Sequence, residues 1–177
     1  RTWTDPHANQ QYYPLTHTSF WIEARLWGLR PAGYRVTNML LHGLAAVLLW
    51  RLLQRLGVPG AWLGAALFAV HPVNAESVAW ITERKNVLSG ALALGSALAF
   101  VRYLERRERR WWGWSLALFA AALCAKTAVA FLPLALLVLA WWVRPRLSRA
   151  DLLAVAPFLG LALVGGAVTA WLEVHHV

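Results

Sequence analysis

Long apolar runs separated by short polar segments make up most of the chain. The runs occupy about residues 36–56, 61–70, 87–104, 111–143 and 152–172. Charged residues are bunched between these runs instead of following one face of each, which is typical of membrane spans. A helix that crosses a bilayer needs about 20 apolar residues. The runs 36–56, 87–104 and 152–172 are therefore predicted to be membrane-spanning helices.

Two runs do not fit a single span. Residues 61–70 are too few to cross a bilayer, so they are predicted either to be re-entrant or to continue through the loop that follows. Residues 111–143 would reach about 50 Å as one helix, so two shorter helices that meet near Lys126 are predicted. The fold class expected is an all-α polytopic membrane protein with about six transmembrane or partial spans.

The polar N-terminal segment is predicted to form a separate region. Residues 1–35 are expected to be an external loop that contains a short interfacial helix at Thr18–Trp27, and residues 36–177 a transmembrane helical domain. The chain begins without Met and ends just after an apolar run. It is expected to be a fragment whose N-terminal span and C-terminal part are missing.

Composition agrees with a membrane location. Hydrophobic residues make up 59% of the chain, against about 45–50% in soluble domains. The 12 Trp cluster at the ends of apolar runs, as interfacial anchors do. Most of the net charge of +9 lies in short loops beside these runs, so it indicates membrane orientation and not nucleic-acid binding. The single cysteine, Cys124, is expected to be a packed residue.

Basic residues predict the orientation, because positively charged loops favour the cytoplasm. One side holds ten basic and three acidic residues and the other seven and five, so the net charges are +7 and +2. The ten basic residues are Arg51, Arg55, Arg102, Arg106, Arg107, Arg109, Arg110, Arg144, Arg146 and Arg149. This side is predicted to be cytoplasmic. The N-terminal segment, the loop 71–86 and Lys126 then lie together on the external side.

The richest cluster of chemistry-bearing residues is the segment 71–90, HPVNAESVAWITERKNVLSG. Asn74 is predicted to cap a short helix that carries Glu76, and Glu83, about two turns later, is expected on the same face. Arg84 and Lys85 stand at the head of the next span, where a guanidinium and an ammonium suit a phosphate headgroup. Ordinary snorkelling to the membrane surface is the alternative.

Other polar residues within or beside the apolar runs are weaker candidates. A lysine ammonium at membrane depth costs about 2.5–3.5 kcal/mol, which makes Lys126 a functional candidate unless it simply lies at the interface. Asn38 and His42 lie one turn apart and suit either interhelical hydrogen bonds or a ligand site. Asp5 is either a site residue or part of a solvated loop. No metal-ligand motif such as HExxH and no Gly-rich phosphate loop is present in the sequence.

Three stretches together resemble a known family. They are YYPLT at 12–16 with RLWGLRPAGYR at 25–35 and TNMLLH at 37–42, then the segment 71–90, and CAKTAVAFLP at 124–133. In this order they resemble the membrane portion of bacterial tetratricopeptide-repeat glycosyltransferase-like proteins. Those are similar to the transmembrane and tetratricopeptide-repeat O-mannosyltransferases of the GT-C class.

The resemblance implies part of a GT-C-like fold and a role for each site residue. Arg84, Lys85 and Lys126 would hold the phosphate of a polyprenyl-phosphate sugar, and His71 and Glu83 would shape the site. Asp5 and Glu76 are the candidate catalytic acids. The chain departs from the family pattern because it lacks the acidic pair that normally follows a first span, and it has no tetratricopeptide repeats.

The function implied is transfer of a mannose-like sugar from a polyprenyl-phosphate donor to an acceptor hydroxyl, on protein, at the non-cytoplasmic face of a bacterial inner membrane. The expected partners are the bilayer, the lipid-linked sugar and a protein acceptor, with no nucleic acid. No cofactor is evident, and a metal requirement is left open. The alternative is a non-catalytic membrane module that binds or transports an anionic lipid. A lipid-phosphate enzyme of another class is a weaker option. Arg84→Ala and Lys126→Ala are expected to weaken lipid-phosphate binding without unfolding the chain.

Overall fold

A computed structural model of the chain describes residues 13–144 and 146–176, with side chains described as far as Leu172. Its α-helices are α1 (Pro14–Trp27), α2 (Pro31–Arg55), α3 (Ala61–Val70), α4 (Ala75–Ala79), α5 (Arg84–Arg106), α6 (Arg109–Ala125), α7 (Leu132–Val143) and α8 (Arg149–His176). Short 3₁₀ turns lie at Pro72–Asn74, Ile81–Glu83 and Thr127–Phe131. The described residues contain no strand, and the prediction of an all-α protein is confirmed for them.

Within the described residues, three helical segments are long and apolar enough to cross a membrane. They are Pro31–Arg55, Ile81–Arg106 and Arg149–Leu172, and each overlaps one of the three predicted spans. Ala61–Val70 and Thr127–Val143 are apolar but shorter. Transmembrane character is therefore supported, while the count of about six spans and the GT-C-like arrangement stay predictions.

Helices α2 and α5 run in the same direction, so their first residues lie at one end of the bundle and their last residues at the other. Near the start of both helices, the Nε of Arg84 donates a hydrogen bond to Oδ1 of Asn38. At their far ends, Arg55 and Glu105 form an ion pair of 2.5 Å. We call the first end, which also carries Lys85 and Lys126, the lysine end. The other is the arginine end, which carries Arg51, Arg55, Arg102, Arg107 and Arg144.

The return from α2 to α5 uses α3 and the residues after it. The ring of His42, in the middle of α2, lies 3.1 Å from the carbonyl oxygen of Ala69 at the end of α3. Nearer the lysine end, Nδ2 of Asn38 donates to the carbonyl oxygens of Trp80, at 2.9 Å, and Val78, at 3.3 Å. Residues 61–83 therefore run along α2 from the arginine end to the lysine end. Of the two predicted arrangements, this is the one in which the run 61–70 continues through the loop that follows. Asn38 and His42 serve as interhelical ties in this structure.

The long apolar run is interrupted where the sequence predicts. Helix α6 ends at Ala125, Lys126 is extended, and α7 begins at Leu132 with Pro133 in its first turn. Proline lacks a backbone N–H, and at the first turn of a helix that N–H would have no helical partner, so Pro133 suits the start of α7. The sequence therefore gives two helices in place of one that would overshoot the bilayer.

The core between α5, α6 and α8 is apolar and aromatic, and a polar contact between two serines is buried beside it. Phe100, Phe119 and Phe158 are completely buried and bring α5, α6 and α8 together, with ring centroids 5.6–5.8 Å apart. Between α5 and α6, each of Ser96 and Ser115 donates its hydroxyl to the other's carbonyl oxygen at 2.8 Å. Small residues that exchange hydrogen bonds allow close helix packing in membranes.

The outer surfaces of α2 and α8 are apolar. Met39 and Leu40 of α2 are 62% and 69% exposed, and Leu153 and Leu163 of α8 are 72% and 73% exposed. Exposed apolar surface on this scale marks a membrane or protein interface. With the length of these helices, it indicates that they face lipid.

Two local predictions about the segment 71–90 are wrong. Asn74 occupies the N-cap position of α4, but its side chain makes no cap hydrogen bond there; its Nδ2 donates to the carbonyl oxygen of Phe68 at 2.8 Å. Glu76 and Glu83 do not share a helical face, because α4 ends at Ala79 and Trp80 has extended backbone angles. The extended residue separates the two acids into different elements.

Candidate functional site at the lysine end

Two lysine side chains are joined by one hydrogen-bonded network. Nζ of Lys126 donates to Oδ1 of Asn86. Nδ2 of Asn86 donates to Oε2 of Glu83 at 2.6 Å and to Oγ of Ser77 at 3.1 Å. Nζ of Lys85 lies 3.5 Å from Oε1 of Glu83. We call these five residues the lysine network, and with two ammonium groups and one carboxylate it carries a net positive charge.

The network depends on the break after α6. Lys126 closes the end of α6 with a 2.9 Å hydrogen bond from its backbone N–H to the carbonyl oxygen of Ala122. Its extended backbone then separates α6 from the 3₁₀ turn that starts at Thr127. On the other side, Thr16 of α1 donates to the carbonyl oxygen of Ala125 at 3.1 Å. The end of α6 is thus fixed on α1 and on the start of α5.

The network is only partly shielded from solvent. The side chains of Lys85 and Glu83 are 22% and 23% exposed, and Asn86 and Lys126 are half-buried. An ammonium group has three N–H donors, and Nζ of Lys126 has one hydrogen-bond partner among the residues that the structure describes. A partly dehydrated cation with spare donors suits an anionic ligand.

Arg84 occupies a different environment from its neighbour Lys85. Its side chain is completely buried, and NH1 lies 2.8 Å from Oε2 of Glu23. NH2 donates to the carbonyl oxygen of Tyr34 at 2.9 Å, and NH1 is 3.5 Å from Oγ of Ser19. With the bond from Nε to Asn38, most of the guanidinium donors are directed at protein groups. The assignment of Arg84 to a lipid phosphate stays a prediction.

The remaining predicted residues lie outside the network. His71 is exposed at the end of α3, where its Nδ1 accepts a 3.2 Å hydrogen bond from the backbone N–H of Val73. Glu76 is exposed on α4, next to Ser77 of the network. Asp5 lies outside the described residues. The structure therefore brings Glu83, Lys85 and Lys126 together through Asn86, which was not predicted from the sequence, and the roles of the three predicted residues stay predictions.

No metal centre is evident in the described part of the chain. Among residues 13–144 and 146–172, no group of three or more His, Cys, Asp or Glu side chains is placed to hold a metal ion. At the lysine end, the lysine network offers two ammonium groups to an anionic ligand.

Comparison with known protein families places the chain in one of them. The family model of the dolichyl-phosphate-mannose-protein mannosyltransferases matches residues 14–171. This range runs from the start of α1 to Trp171, near the end of α8. The chain belongs to this mannosyltransferase family. The resemblance predicted from the three sequence stretches is therefore confirmed.

Several curated members are similar to the chain. It is 32% identical over 126 residues to protein O-mannosyl-transferase TMTC2 of Mus musculus, which covers 69% of this chain and 15% of that protein. It is 35% identical over 133 residues to protein O-mannosyl-transferase Tmtc1 of Drosophila melanogaster, which covers 71% of this chain and 15% of that protein. The chain thus spans about a seventh of the length of these relatives. No solved structure matches it.

A polar stripe on α1 of this mannosyltransferase-family chain was not identified from the sequence. Thr16, Ser19 and Glu23 recur at helical spacing and all point inward, to Ala125 or Arg84. The opposite face exposes Trp21, at 57%, and Leu26, at 66%. This polarity is the inverse of a soluble amphipathic helix and suits lipid outside and protein inside. The spacing of 16, 19 and 23 is the signal that sequence reasoning could have used.

Proposed function

We propose that the full-length protein carrying this chain transfers a mannose-like sugar from a polyprenyl-phosphate donor to a hydroxyl group of a protein acceptor. The observation that supports this most is the convergence of Lys85 and Lys126 on one network in a chain of this family. The family description names dolichyl-phosphate-mannose, and the similar proteins are named O-mannosyl-transferases.

The lysine network suits the leaving group of this reaction. When the sugar leaves its carrier, negative charge develops on the lipid phosphate, and fixed positive groups stabilise that charge in the transition state. Lys126 and Lys85 supply ammonium donors, and Asn86 and Glu83 hold them. We therefore assign Lys85 and Lys126 to the phosphate, and Glu83 to positioning.

A general base must remove the proton of the acceptor hydroxyl. Glu83 is a poor candidate because its two carboxylate oxygens already face Lys85 and Asn86. Glu76 is exposed one residue before Ser77 of the network, so its carboxylate is available to an incoming acceptor. Glu76 and Asp5 are our proposed catalytic acids, and His71 is proposed to line the approach for the sugar.

The buried Arg84 is proposed to position this site. It binds α1, α2 and the start of α5 to each other, and Lys85 and Asn86 are the two residues that follow it. This changes what we expect of Arg84→Ala. Removing the guanidinium leaves Glu23 buried without its cation, so the variant should lose stability as well as donor binding.

The proposed location is an integral membrane protein of a bacterial inner membrane. Its basic loops are proposed to be cytoplasmic, which places the lysine end on the external side. The contacts in the structure support one part of this, because Lys126 and the loop 71–86 meet at the end opposite Arg55 and Arg107.

The test uses membranes that contain the full-length protein and a labelled polyprenyl-phosphate mannose. Lys126→Gln removes one charge-assisted contact, each worth about 1.5–3 kcal/mol, so donor affinity should fall roughly tenfold to a hundredfold. Arg25→Gln is the matched control, because Arg25 is an exposed cation on α1 that lies over the ring of Trp21 at 3.8 Å. Equal donor binding by the Lys126→Gln variant and the control would contradict the assignment.

A non-catalytic module that binds or transports an anionic lipid is the second candidate. It is favoured by one observation, that Glu76, the proposed base within the described residues, is not part of the lysine network. Glu76→Gln separates the two functions. If the variant binds the donor but no longer transfers sugar, the enzyme is supported. If the unsubstituted protein binds the donor and never transfers sugar to any acceptor, the binding module is supported.

A further inference from the structure

A cleft of about 480 Å³ lies at the arginine end, on the side of the bundle away from the lysine network. It is lined by Arg51, Gln54 and Arg55 from the last two turns of α2 and by Arg102 from the last two turns of α5. Its size falls in the range of ligand sites, roughly 300–1,000 Å³. Its lining brings three guanidinium groups and one amide together.

The charges in this cleft are not balanced by the protein groups that the structure describes. Arg55 pairs with Glu105 at 2.5 Å. Arg51 and Arg102 have no ion pair in the described ranges, and each lies over a tryptophan ring, at 5.0 Å and 4.6 Å. Arg51 and Arg55 are also four residues apart on one helical face, where like charges repel. An anion in the cleft would remove this repulsion.

Two buried donors at this place lack an acceptor. Nε of Arg102 is shielded from solvent and has no hydrogen-bond partner within the described residues. The same holds for Nε1 of Trp111, whose ring lies next to the Arg102 guanidinium. Buried N–H groups are nearly always satisfied, so an unpaired one points to a missing water or ion. Both groups are donors, so the partner that each lacks is an acceptor, either a water molecule or an oxyanion.

We propose that this cleft binds a phosphate group through Arg51, Arg55 and Arg102. Guanidinium groups match phosphate oxygens in geometry and charge. The cleft lies at the ends of two spanning helices, where the headgroup of an anionic phospholipid would reach it, and a soluble phosphate compound has the same chemistry. The site is separate from the lysine network and does not depend on the proposed sugar transfer.

The first arm of the test measures a lipid source. The full chain in neutral detergent is incubated with phosphatidylglycerol or phosphatidylcholine, and native mass spectrometry counts the lipid that stays bound. We expect phosphatidylglycerol to be retained in preference. Arg51→Gln and Arg102→Gln should each weaken retention about tenfold. Arg110→Gln is the matched control, because it removes the same charge near the same end without lining the cleft: its guanidinium pairs with Glu108 and, like that of Arg102, lies over the ring of Trp111.

The second arm measures a soluble source. The chain in nanodiscs of phosphatidylcholine alone is titrated with pyrophosphate, and the unfolding temperature is followed. A rise that is lost in Arg51→Gln and kept in Arg110→Gln assigns the cleft to a soluble phosphate compound. Retention of phosphatidylglycerol with the same dependence on these variants assigns it to a lipid headgroup. Either result supports the site.

The proposal is overturned if the cleft variants bind both probes as the unsubstituted chain does. It is also overturned if Arg110→Gln weakens binding as much as they do, because the attraction would then be diffuse. Arg51 is exposed, so Arg51→Gln should fold and decides the matter even if Arg102→Gln does not. Arg102→Lys, which keeps the charge and loses the planar fork, should bind with intermediate strength.

Discussion

The two ends of the bundle bury charge differently: the lysine end buries an arginine together with its glutamate, and the arginine end buries one aspartate. At the lysine end, Arg84 is completely buried against Glu23, whose side chain is only 7% exposed. At the arginine end, Asp151 is completely buried and lies 3.0 Å from Arg107 and 3.1 Å from Arg144, which are 42% and 26% exposed. The central charge thus has a buried partner at one end and hydrated partners at the other.

The two sites also differ in how far along the chain their partners lie. Asn38, Tyr34 and Ser19 are 46, 50 and 65 residues away from Arg84 in sequence. Asp151 receives hydrogen bonds from the backbone and hydroxyl of Ser148, three residues earlier, and its own N–H returns to that hydroxyl at 3.2 Å. This reciprocal arrangement is a capping box at the start of α8. The Arg84 site therefore links distant parts of the chain, whereas the hydrogen bonds between Asp151 and Ser148 are local and cap the start of α8.

The arginine end adds a strained residue to its local cap. Arg107 has a left-handed φ of 56°, which glycine adopts more readily, and its backbone N–H bonds to the carbonyl oxygen of Tyr103 at 2.8 Å. That conformation costs a non-glycine residue roughly 1–2 kcal/mol. The ion pair with Asp151 helps to explain why an arginine is found there. The difference between the ends predicts an order of sensitivity to substitution.

Arg84→Ala should have the largest effect, a loss of about 3–5 kcal/mol of stability, because it leaves the Glu23 carboxylate buried without a cation. The measurement is thermal unfolding of the chain in nanodiscs. Lys85→Ala is the control, since the neighbouring side chain is 22% exposed and should cost little.

The double variant Glu23→Gln with Arg84→Met tests the cause of that loss. Removing both charges should recover part of the stability, because no buried ion is then left unpaired. The ion-pair explanation fails if the double variant is no more stable than Arg84→Ala alone. It fails too if Arg84→Ala unfolds at the same temperature as Lys85→Ala.

Asp151→Ala should have an intermediate effect, about 1–3 kcal/mol. It removes the cap of α8 and both ion pairs, but Arg107 and Arg144 remain partly exposed and can be hydrated. Asp151→Asn should cost less, because an amide oxygen still accepts from Ser148. The unfolding temperatures of both variants check this. Added salt should reduce the difference in unfolding temperature between the unsubstituted chain and Asp151→Asn, because it screens the ion pairs of Asp151. A loss in Asp151→Asn equal to that of Arg84→Ala would abolish the distinction between the ends.

Much of the fold follows from hydropathy. The predicted spans and the break at Lys126 depend on the length of the apolar runs, which is a local property. The grouping of Lys85 with Lys126 came from assigning both to one side of the membrane. These predictions needed no knowledge of which helices touch.

The role of Arg84 could not be read in the same way. Arg84 and Lys85 are adjacent cations, and successive residues on a helix point about 100° apart. Which of them faces the protein depends on where α1 packs, and that contact joins residues far apart in sequence. The capping pattern SRAD at 148–151 was, by contrast, visible in the sequence and was missed. The role of Arg84 could not be predicted because it depends on long-range packing. The cap of α8 could have been predicted, because its signal is local.

The smallest effect we predict lies between the two ends, at the neutral contact of Ser96 with Ser115. Ser96→Ala removes one of two reciprocal hydrogen bonds and should cost about 0.6 kcal/mol, and at most about 1.7. The same holds for Ser115→Ala, and a double-mutant cycle on the unfolding free energy gives their coupling. Both hydroxyls are completely buried, so burial here equals that of Arg84. If the serine variants destabilise the chain as strongly as Arg84→Ala, burial of any polar group explains the lysine end. If the serine variants cost only a fraction of the stability that Arg84→Ala costs, the unpaired, buried carboxylate of Glu23 is the cause. The two ends then differ because substitution leaves a charged group both unpaired and without water at the lysine end only.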